Sequence, residues 1–275
     1  MVKGNTKEFA LTQHTTLRVD LRRKSAQPFM DKIVLESQVS LCINGHHYSV
    51  MLVSPFEIRE LAIGHLMTER MISKPNEILE LKIIKGRIDI RLSKEPHIEK
   101  TRTISTGCGS GKNKIPPQIW MRLKKQDSSV RFASQAIIEA AKNLNLSAEI
   151  YRETGGTHAA ALMDDQGRIL AISEDISRHN AVDKVIGKAV LQGLDFKEVF
   201  LTSSGRITSD IVIKAASVGI PVIVSISAPT DKGIKLAEMM GLTLIGFARG
   251  KRFNIYTHPE RIILCRDSCG PDLCT

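Results

Sequence analysis

A cysteine in a glycine-rich, basic segment is the first residue that could do chemistry. The segment at 103–114 reads TISTGCGSGKNK, so Cys108 lies between glycines and shortly before Lys112 and Lys114. Glycines allow backbone angles closed to other residues and let a bulky partner approach, and nearby lysines favour the nucleophilic thiolate. The pattern indicates a reactive loop thiol, although a loop cysteine without function fits the spacing equally well. The loop has no CxxC pair, so it can form neither a dithiol redox couple nor half of a zinc site.

A second candidate is the polar segment EDISRHNAVDK at 174–184. It follows a strand predicted at 168–173 and leads into a helix that Asn180 is suited to cap. Because ligands of open α/β sheets bind outside the carboxyl ends of the strands, Arg178 and His179 are candidate ligand contacts. The plainer interpretation is a solvated helix start.

Two shorter segments have a similar position relative to predicted strands. In TGGTHAAA (154–161), His158 precedes an apolar strand, where it could donate a proton, hydrogen-bond an anion or lie satisfied in the core. In TSSGRIT (202–208), Arg206 stands beside free amides expected at a helix N-terminus, a combination that suits a phosphate. An ordinary capped helix start remains the alternative for the second segment.

A basic turn is predicted within GFARGKRFNIYT at 246–257. Its cations lie between two apolar strands, and its aromatic side chains are near enough in sequence to bracket a planar base. The residues concerned are Arg249, Lys251, Arg252, Phe247 and Phe253. Together with the preceding segments, the turn suggests a site for an extended anion carrying planar rings, unless it is simply a hairpin tip without a ligand.

The elements that must position these residues form two structured parts, with a loop between them and a tail after the second. The first thirty or so residues read as a polar lead-in, followed by a hairpin around Asn44-Gly45, a helix within 56–72 and a second hairpin formed by 78–84 and 88–92. Helices are predicted at 118–124 and 132–144. From Thr154 onward, apolar strands alternate with helices that begin near Asn180, Ile207 and Asp231, which favours βα crossovers and a largely parallel sheet. The predicted division is a hairpin-rich N-terminal part (1–100), a flexible cysteine loop (101–117), an α/β cofactor-binding body (118–257) and a cysteine-containing tail (258–275).

Composition limits the compartment and the partners. The chain has 275 residues, five cysteines and a formal net charge of +10. An odd number of cysteines fits no disulfide framework, and no apolar run is long enough for a membrane helix or a secretory signal. We therefore expect a cytoplasmic protein that binds anions rather than membranes. Proteins that bind single-stranded nucleic acid stack its bases on aromatic side chains. With only three Tyr and one Trp beside its Phe residues, the chain gives weak support to such a partner.

The motifs together resemble those of the FdhD family, the accessory sulfurtransferases of formate dehydrogenase. The resemblance extends from about Val39 to Thr257, and its segments occur in the family's order. They are ELAIGHLMTE (60–69), TGGTHAAA (154–161), EDISRHNAVDKVIG (174–187), SSGRITSDIVIKA (203–215) and SAPTDKGIKLAEMMGLTLIGFARGKRFNIYT (227–257).

The resemblance implies a fold, a reaction and a set of partners. The fold is a three-layer α/β/α body of the cytidine deaminase type, in a cytoplasmic homodimer. A cysteine desulfurase would load Cys108 with sulfur as a persulfide, with Lys112 lowering the thiol pKa. The sulfur would pass to the molybdenum (or tungsten) of a bis(molybdopterin guanine dinucleotide) cofactor needed by formate dehydrogenase, and His158 or His179 would assist its release.

The same resemblance places the cofactor contacts on the basic turn. The residues are Phe247, Ala248, Arg249, Gly250, Lys251 and Arg252. With His158, Arg178, His179 and Arg206 they make up the expected cofactor site, to which GDP-like nucleotides should also bind. We expect no permanent metal and no nucleic acid partner.

Three features depart from the family pattern. Many members have CGxCG in the loop, whereas Gly111 stands here in place of the second cysteine, so a mechanism needing a cysteine pair does not transfer. Ser177 occupies a position that is usually glycine. Cys265, Cys269 and Cys274 lie outside the resemblance with spacing unlike a zinc site, and we expect spare thiols there.

Three other functions compete with sulfur transfer. A zinc hydrolase acting on a nucleobase would need H-x-E followed by P-C-x-x-C, and the sequence has no P-C-x-x-C. A non-catalytic chaperone would hold and deliver the guanylated cofactor without Cys108 chemistry. A charge-driven nucleic-acid binder would bind weakly and with a steep salt dependence.

Overall fold

The computed structural model describes residues 10–95, 125–126 and 129–264. The predicted cysteine loop, the helix predicted at 118–124 and the three cysteines from Cys265 onward therefore lie outside the described residues. Within the described ranges, none of the helices is both long and apolar enough to cross a membrane.

The chain begins with a two-stranded antiparallel ribbon, so the prediction of a polar lead-in is wrong. Strands β1 (Leu11–Asp20) and β2 (Ser25–Val34) pair along their full length. The turn between them forms because one carboxylate oxygen of Asp20 accepts the backbone N–H groups of Arg22 and Arg23 at 2.9 and 3.0 Å. Most of the apolar residues in the two strands are exposed, so they do not mark a core face in the sequence.

A four-stranded sheet and one helix complete the N-terminal part. The strands are β3 (Ser37–Ile43), β4 (His46–Val53), β5 (Ile78–Ile84) and β6 (Arg87–Leu92), in the order β4-β3-β6-β5. Both predicted hairpins are confirmed, and their turns at Asn44-Gly45 and Lys85-Gly86 have positive φ at each residue, as tight hairpins require. Helix α1 (Ile58–Thr68) packs its Leu61 and Leu66 onto the buried face of this sheet.

The α/β body contains a six-stranded mixed sheet. Its strands are β8 (His158–Met163), β9 (Ile169–Asp175), β10 (Phe200–Ser203), β11 (Val222–Ser225), β12 (Thr243–Arg249) and β13 (Arg252–Thr257), in the order β13-β12-β11-β10-β8-β9. The parallel pairs in this sheet are β10–β11 and β11–β12, so the prediction of a largely parallel sheet holds only for the central strands. The strands β8–β9 and β12–β13 are joined by short turns, and a short turn reverses the chain.

Helices cover both faces of this sheet, which confirms the predicted three-layer α/β/α body. On one face lie α4 (Arg178–Gln192), α5 (Ser209–Val218) and α6 (Asp231–Met240); on the other lies α2 (Ser134–Ser147), followed by the short α3 (Glu149–Thr154). The short strands β7 (Phe132–Ala133) and β14 (Ile262–Ile263) pair in parallel beside α2. The packed body thus extends to Ile263, beyond the predicted boundary at 257.

A close helix crossing joins the two parts. Helices α1 and α4 meet at Gly64 and Gly187, where a Cβ on Gly64 would overlap the carbonyl of Asp183 and a Cβ on Gly187 the carbonyl of Glu60. Only glycine permits such an approach. The crossing fixes the N-terminal part against α4, the helix whose first residues belong to the candidate site.

Candidate functional site

The sheet register brings the polar segments to one edge. His158 at the start of β8 is paired with Asp175 at the end of β9, and Ser203 at the end of β10 is paired with Ser225 at the end of β11. The turn between β12 and β13 opens on the same edge, because β12 runs parallel to β11. Segments far apart in sequence therefore form one rim, which we call the site edge: the loops at 154–158, 175–179, 203–208, 225–230 and 247–252.

His158 lies beside two arginines, Arg178 and Arg206, on the site edge. The His158 Nδ1 lies 3.4 Å from the Ser204 hydroxyl, which in turn accepts the Ala159 N–H at 2.9 Å. Burial lowers the pKa of His158, and the charges of Arg178 and Arg206 lower it further. The imidazole is thus held in its neutral form next to two permanent positive charges, ready to donate or accept one hydrogen bond.

Arg178 has an unused buried donor. Its side chain packs over Gly205, where a Cβ would come within 2.8 Å of the Arg178 Cβ. The Arg178 Nε is buried and has no hydrogen-bond partner among the described residues. Since a buried donor without a partner is costly, an anion bound on the site edge would relieve that cost.

His179 is held neutral more strongly than His158. Burial lowers the pKa of His179 to about 3, with Lys214 and Arg178 adding to the shift. A histidine with that pKa is uncharged at neutral pH. The assistance that we expect from a histidine in sulfur release would therefore come, for His179, from a neutral hydrogen-bonding ring.

Three amides of the loop before α5 are already bonded within the protein, whereas Thr208 at the start of α5 makes no side-chain cap hydrogen bond. The N–H of Ser204 donates to Ala159 O, that of Gly205 to the Ser203 hydroxyl and that of Ile207 to Ala228 O. These bonds build the loop and leave Arg206 exposed at its tip. A phosphate here would be bound by the guanidinium group of Arg206 rather than by those three amides.

The basic turn is formed by a bulge. Phe247 has a φ of 54°, the register shifts between Gly246 and Arg249, and the Phe247 N–H donates to Ser227 O at 3.0 Å. The Arg249 guanidinium carbon lies 5.8 Å from the centre of the Phe247 ring. Phe253 packs against the core on the α2 side, and Ala248 is fully buried, so Ala248 is not open to solvent, unlike the neighbouring Arg249.

The exposed part of the turn is strongly cationic. Arg249, Gly250, Lys251 and Arg252 are all exposed. Gly250 has a φ of 61° with nothing near its missing Cβ, so the turn needs glycine for its backbone and not for space. The cations therefore face solvent, where an anionic ligand can approach them.

A buried ion-pair network beneath the site edge was not predicted from the sequence. Asp175 receives four donors: the Ser54 N–H at 3.0 Å, the Ser177 N–H at 2.9 Å, the Asn180 amide at 3.0 Å and the Lys184 ammonium at 2.7 Å. Lys184 also donates to Ser54 O at 3.1 Å. The prediction that Asn180 caps the helix is wrong, because α4 begins at Arg178 and the Asn180 side chain instead joins Asp175 to Leu52 O. The network fixes the first turn of α4, and with it Arg178 and His179.

A second buried network lies one turn further along α4. The Asp183 carboxylate contacts His65 Nδ1 at 3.1 Å, the Thr68 hydroxyl at 2.8 Å and Lys214 Nζ at 2.8 Å. Burial alone would raise the pKa of Asp183, but Lys214 and the His65 hydrogen bond outweigh it and lower the pKa to about 2. Asp183 and Lys184 stand between Val182 and Val185 in the sequence, and charged residues inside an apolar run are the one signal that could have revealed both networks.

Glu174 supports the segment that precedes His158. Its carboxylate accepts the N–H groups of Ile150 and Tyr151 at 3.0 and 2.7 Å, at the start of α3, and the Thr157 hydroxyl at 3.0 Å. Acceptors at a helix start satisfy donors that have no partner within the helix. Glu174 is therefore a structural residue that holds the chain on its way to His158.

Cys108 and Lys112 lie outside the described residues, so their roles stay predictions. Among the residues that the structure describes, no group of three or more His, Cys, Asp or Glu side chains is arranged to hold a metal ion. Cys42 is the free cysteine recorded in the described ranges, and it is buried.

The fold and the site edge define a class of protein: a three-layer α/β/α protein with a cationic rim at one edge of its central sheet. The chain belongs to the FdhD/NarQ family, which it matches over residues 34–263.

Similar proteins cover most of the chain. The sulfur carrier protein FdhD of Methanothermobacter thermautotrophicus is 38% identical over 251 residues, covering 90% of this chain and 96% of that protein. The sulfur carrier protein FdhD of Bacillus subtilis is 34% identical over 238 residues, covering 84% and 90%. The crystal structure of a protein assigned as a formate dehydrogenase accessory protein from Desulfotalea psychrophila superposes with a TM-score of 0.76 at 25% identity, covering 92% of this chain and all of that one.

Proposed function

We propose that this protein is a sulfur carrier that accepts sulfur from a cysteine desulfurase as a persulfide on Cys108. It then passes the sulfur to the molybdenum or tungsten of a bis(molybdopterin guanine dinucleotide) cofactor, its substrate, for use by formate dehydrogenase. Similar proteins are named sulfur carrier proteins, which supports the sulfur-transfer part of the proposal. This sulfur transfer requires a reducing compartment such as the cytoplasm, where the Cys108 thiol stays reduced.

The observation that best supports a guanylated, anionic substrate is the convergence on the site edge. Arg178 and Arg206 bring two positive charges to neutral His158, and Arg249, Lys251 and Arg252 bring three further charges to the same edge. Guanidinium groups bind phosphates in a bidentate manner. The Arg178 Nε has no hydrogen-bond partner among the described residues and can donate one to a ligand. A cofactor with two phosphate-bearing guanine arms fits such an extended rim, and a homodimer would offer two of them.

The loading step needs one nucleophile and no oxidant. The Cys108 thiolate attacks the terminal sulfur of the donor's persulfide, the sulfur–sulfur bond in the donor breaks, and the donor cysteine leaves as a thiolate. One cysteine suffices for this exchange, so Gly111 in place of a second cysteine is compatible with it. His158 and neutral His179 would hydrogen-bond the cofactor, which supplies the metal that receives the sulfur.

The competing function is delivery of the cofactor without sulfur chemistry. To separate the two, Cys108→Ser is compared with the unaltered protein in two assays: activation of formate dehydrogenase and binding of GDP. We expect activation to be lost while GDP affinity stays the same. Activation that survives the substitution would identify the protein as a delivery chaperone.

A further inference from the structure

The buried Asp183 carboxylate has two histidines as neighbours and is bonded to only one of them. His179 and Asp183 are four residues apart in α4, so their side chains lie next to each other on one face of the helix. His65, from α1, contacts the carboxylate through Nδ1 at 3.1 Å. Because an ionised carboxylate can only accept hydrogen bonds, this Nδ1 donates. Asp183 is thus paired with the histidine of another helix and not with the histidine of its own.

Both oxygens of the Asp183 carboxylate are occupied by other donors. Oδ1 accepts the Thr68 hydroxyl at 2.8 Å and Lys214 Nζ at 2.8 Å. Oδ2 accepts His65 Nδ1 at 3.1 Å and Lys214 Nζ at 2.8 Å. A carboxylate offers about four lone-pair sites, so these contacts use its acceptor capacity. Asp183 therefore has no strong acceptor left for a proton of the His179 ring.

The donors that occupy Asp183 come from two other helices. His65 and Thr68 belong to α1 in the N-terminal part, which crosses α4 closely, and Lys214 belongs to α5. All of these side chains are buried. With its acceptor sites open, the carboxylate would attract a proton to the His179 ring, because an opposite charge within about 4–6 Å favours the charged form of a side chain. The packing of α1 and α5 against α4 prevents this.

The charges around His179 act in the same direction. Burial lowers the pKa of His179 to about 3, Lys214 and Arg178 contribute to the shift, and Asp183 opposes it. Lys214 is itself held by acidic groups, which raise its pKa against the effect of burial. The charged and titratable groups that face His179 or this lysine are Arg178 and Asp183 on α4, His158 on β8, and Lys214, Asp210 and Glu69 on the neighbouring helices and their ends.

We propose that Lys214, together with the donors from α1, is a positioning residue of the site edge: it occupies the Asp183 carboxylate and so leaves the His179 ring as a neutral hydrogen-bonding group for the ligand. This inference rests on the proposed function for the identity of that ligand, the guanylated cofactor. A neutral ring has one N–H donor and one acceptor nitrogen, whereas a charged ring can only donate. His179 could therefore give the cofactor a hydrogen bond of either kind.

The test follows the protonation of the His179 ring by two-dimensional NMR in the full chain. Lys214→Gln removes the buried charge, although its amide can still donate to Asp183. The carboxylate then lacks its countercharge, and we expect the His179 midpoint to rise from about 3 by about 2 pH units, as for charge changes at this range. Lys214→Arg keeps both the charge and the donors, and its ring should stay neutral down to pH 5 as in the unaltered protein.

Three comparisons separate positioning from a loss of packing. Asp183→Asn/Lys214→Gln removes both buried charges, so no carboxylate remains to attract the proton, and the ring should stay neutral down to pH 5. Lys197→Gln removes an exposed lysine at the opposite edge of the sheet and should leave the titration unchanged. Thr68→Val removes one neutral donor and keeps both charges, so it serves if Lys214→Gln does not fold. Its His179 ring should take up the proton at a higher pH than the ring of the unaltered protein.

GDP affinity reports whether the ring reaches the ligand. The ratio of the affinities of Lys214→Gln and Lys214→Arg cancels the titration of GDP itself. Because a protonated His179 adds a charge-assisted hydrogen bond to an anion, we expect this ratio to favour Lys214→Gln about fivefold more at pH 5 than at pH 7. A ratio independent of pH would show that His179 does not contact the ligand, and the inference would fail.

Other results would also overturn the inference. One is a folded Lys214→Gln protein whose His179 midpoint stays within about half a pH unit of the unaltered value, or a Thr68→Val protein with an unaltered titration. Another is a Lys214→Arg or Asp183→Asn/Lys214→Gln protein that titrates as Lys214→Gln does, since the shift would then come from packing. If the unaltered protein takes up no sulfur on Cys108 while these titrations follow the prediction, the proposed function fails and the positioning of His179 stands.

Discussion

The ammonium of Lys184 lies 2.7 Å from the Asp175 carboxylate, and both side chains are fully excluded from water. The Phe56 ring lies 4.0 Å from the same ammonium. Asp175 ends strand β9 and Lys184 lies in α4, so the pair joins the sheet to the helix that presents Arg178 and His179. The buried pair of Asp175 and Lys184 therefore holds Arg178 and His179 of the candidate site in place.

Removing one partner of this pair should destabilise the protein strongly. Lys184→Met leaves the Asp175 carboxylate buried without its countercharge, which typically costs about 3–5 kcal/mol. We expect urea unfolding to show a loss of that size, and Asp175→Asn/Lys184→Met to recover part of it. Lys142→Met breaks an exposed pair with Glu139 and should have little effect. A Lys184→Met protein as stable as Lys142→Met would show that the pair does not support the fold.

Asp183 should make the protein sensitive to acid. Its pKa is lowered from 3.8 to about 2 in the folded protein, so the folded state binds the proton less readily than the unfolded state. The stability from Asp183 is present above about pH 4 and is lost as the pH falls towards 2, amounting to about 2 kcal/mol. Unfolding free energies measured from pH 5 to pH 2 should show this decline, and Asp183→Asn should be less stable at pH 5 with a shallower decline. Parallel curves for the two proteins would contradict the prediction.

His179 should stay neutral through the physiological range. Its pKa is lowered from 6.5 to about 3 in the folded protein, so the unfolded state takes up the proton first and stability falls as the pH drops from about 6.5 towards 3. We expect the His179 ring signal in a two-dimensional NMR titration, assigned with His179→Gln, to be constant from pH 8 to pH 5. A titration midpoint between pH 6 and 7 would return His179 to the candidates for a charged proton donor.

The basic turn should contribute to nucleotide affinity. Arg249→Gln/Arg252→Gln removes two exposed charges from the site edge without touching the core, and we expect GDP to bind about tenfold more weakly. Lys197→Gln is the matched control, because Lys197 is exposed at the opposite edge of the sheet. Isothermal titration calorimetry gives both affinities. Equal affinities for the two variants would remove the turn from the nucleotide site.

The sequence predicts those features that depend on local pattern. Asn44-Gly45 predicts its hairpin because positive φ favours both residues there, and Gly86 does so for the second hairpin. The ribbon was missed because most of its apolar residues are exposed instead of forming a core face. Strands β8, β9 and β13 pair antiparallel through short turns, whereas the alternation of strands and helices indicated parallel pairing throughout.

The charged networks were missed for a different reason. Asp175, Asp183 and Lys184 look like surface residues around a polar helix start, and Lys214 looks like an exposed residue in the middle of α5. Only the sheet register and the Gly64–Gly187 crossing show that they are buried. Asn180 resembles a helix cap in the sequence, but three-dimensional packing gives its amide to Asp175 and Leu52. Arg178, His179, His158 and Arg206 were predicted as candidates, and the structure brings them to one edge.

The central claim is that Cys108 holds sulfur as a persulfide, and intact-mass spectrometry tests it most directly. The protein is incubated with a cysteine desulfurase and cysteine, and its mass is compared with those of Cys108→Ala and of Cys42→Ala, which removes a buried thiol. We predict a gain of one sulfur atom that is reversed by a thiol reductant, absent from Cys108→Ala and retained by Cys42→Ala. No gain in the unaltered protein, or a gain that persists in Cys108→Ala, would contradict the claim.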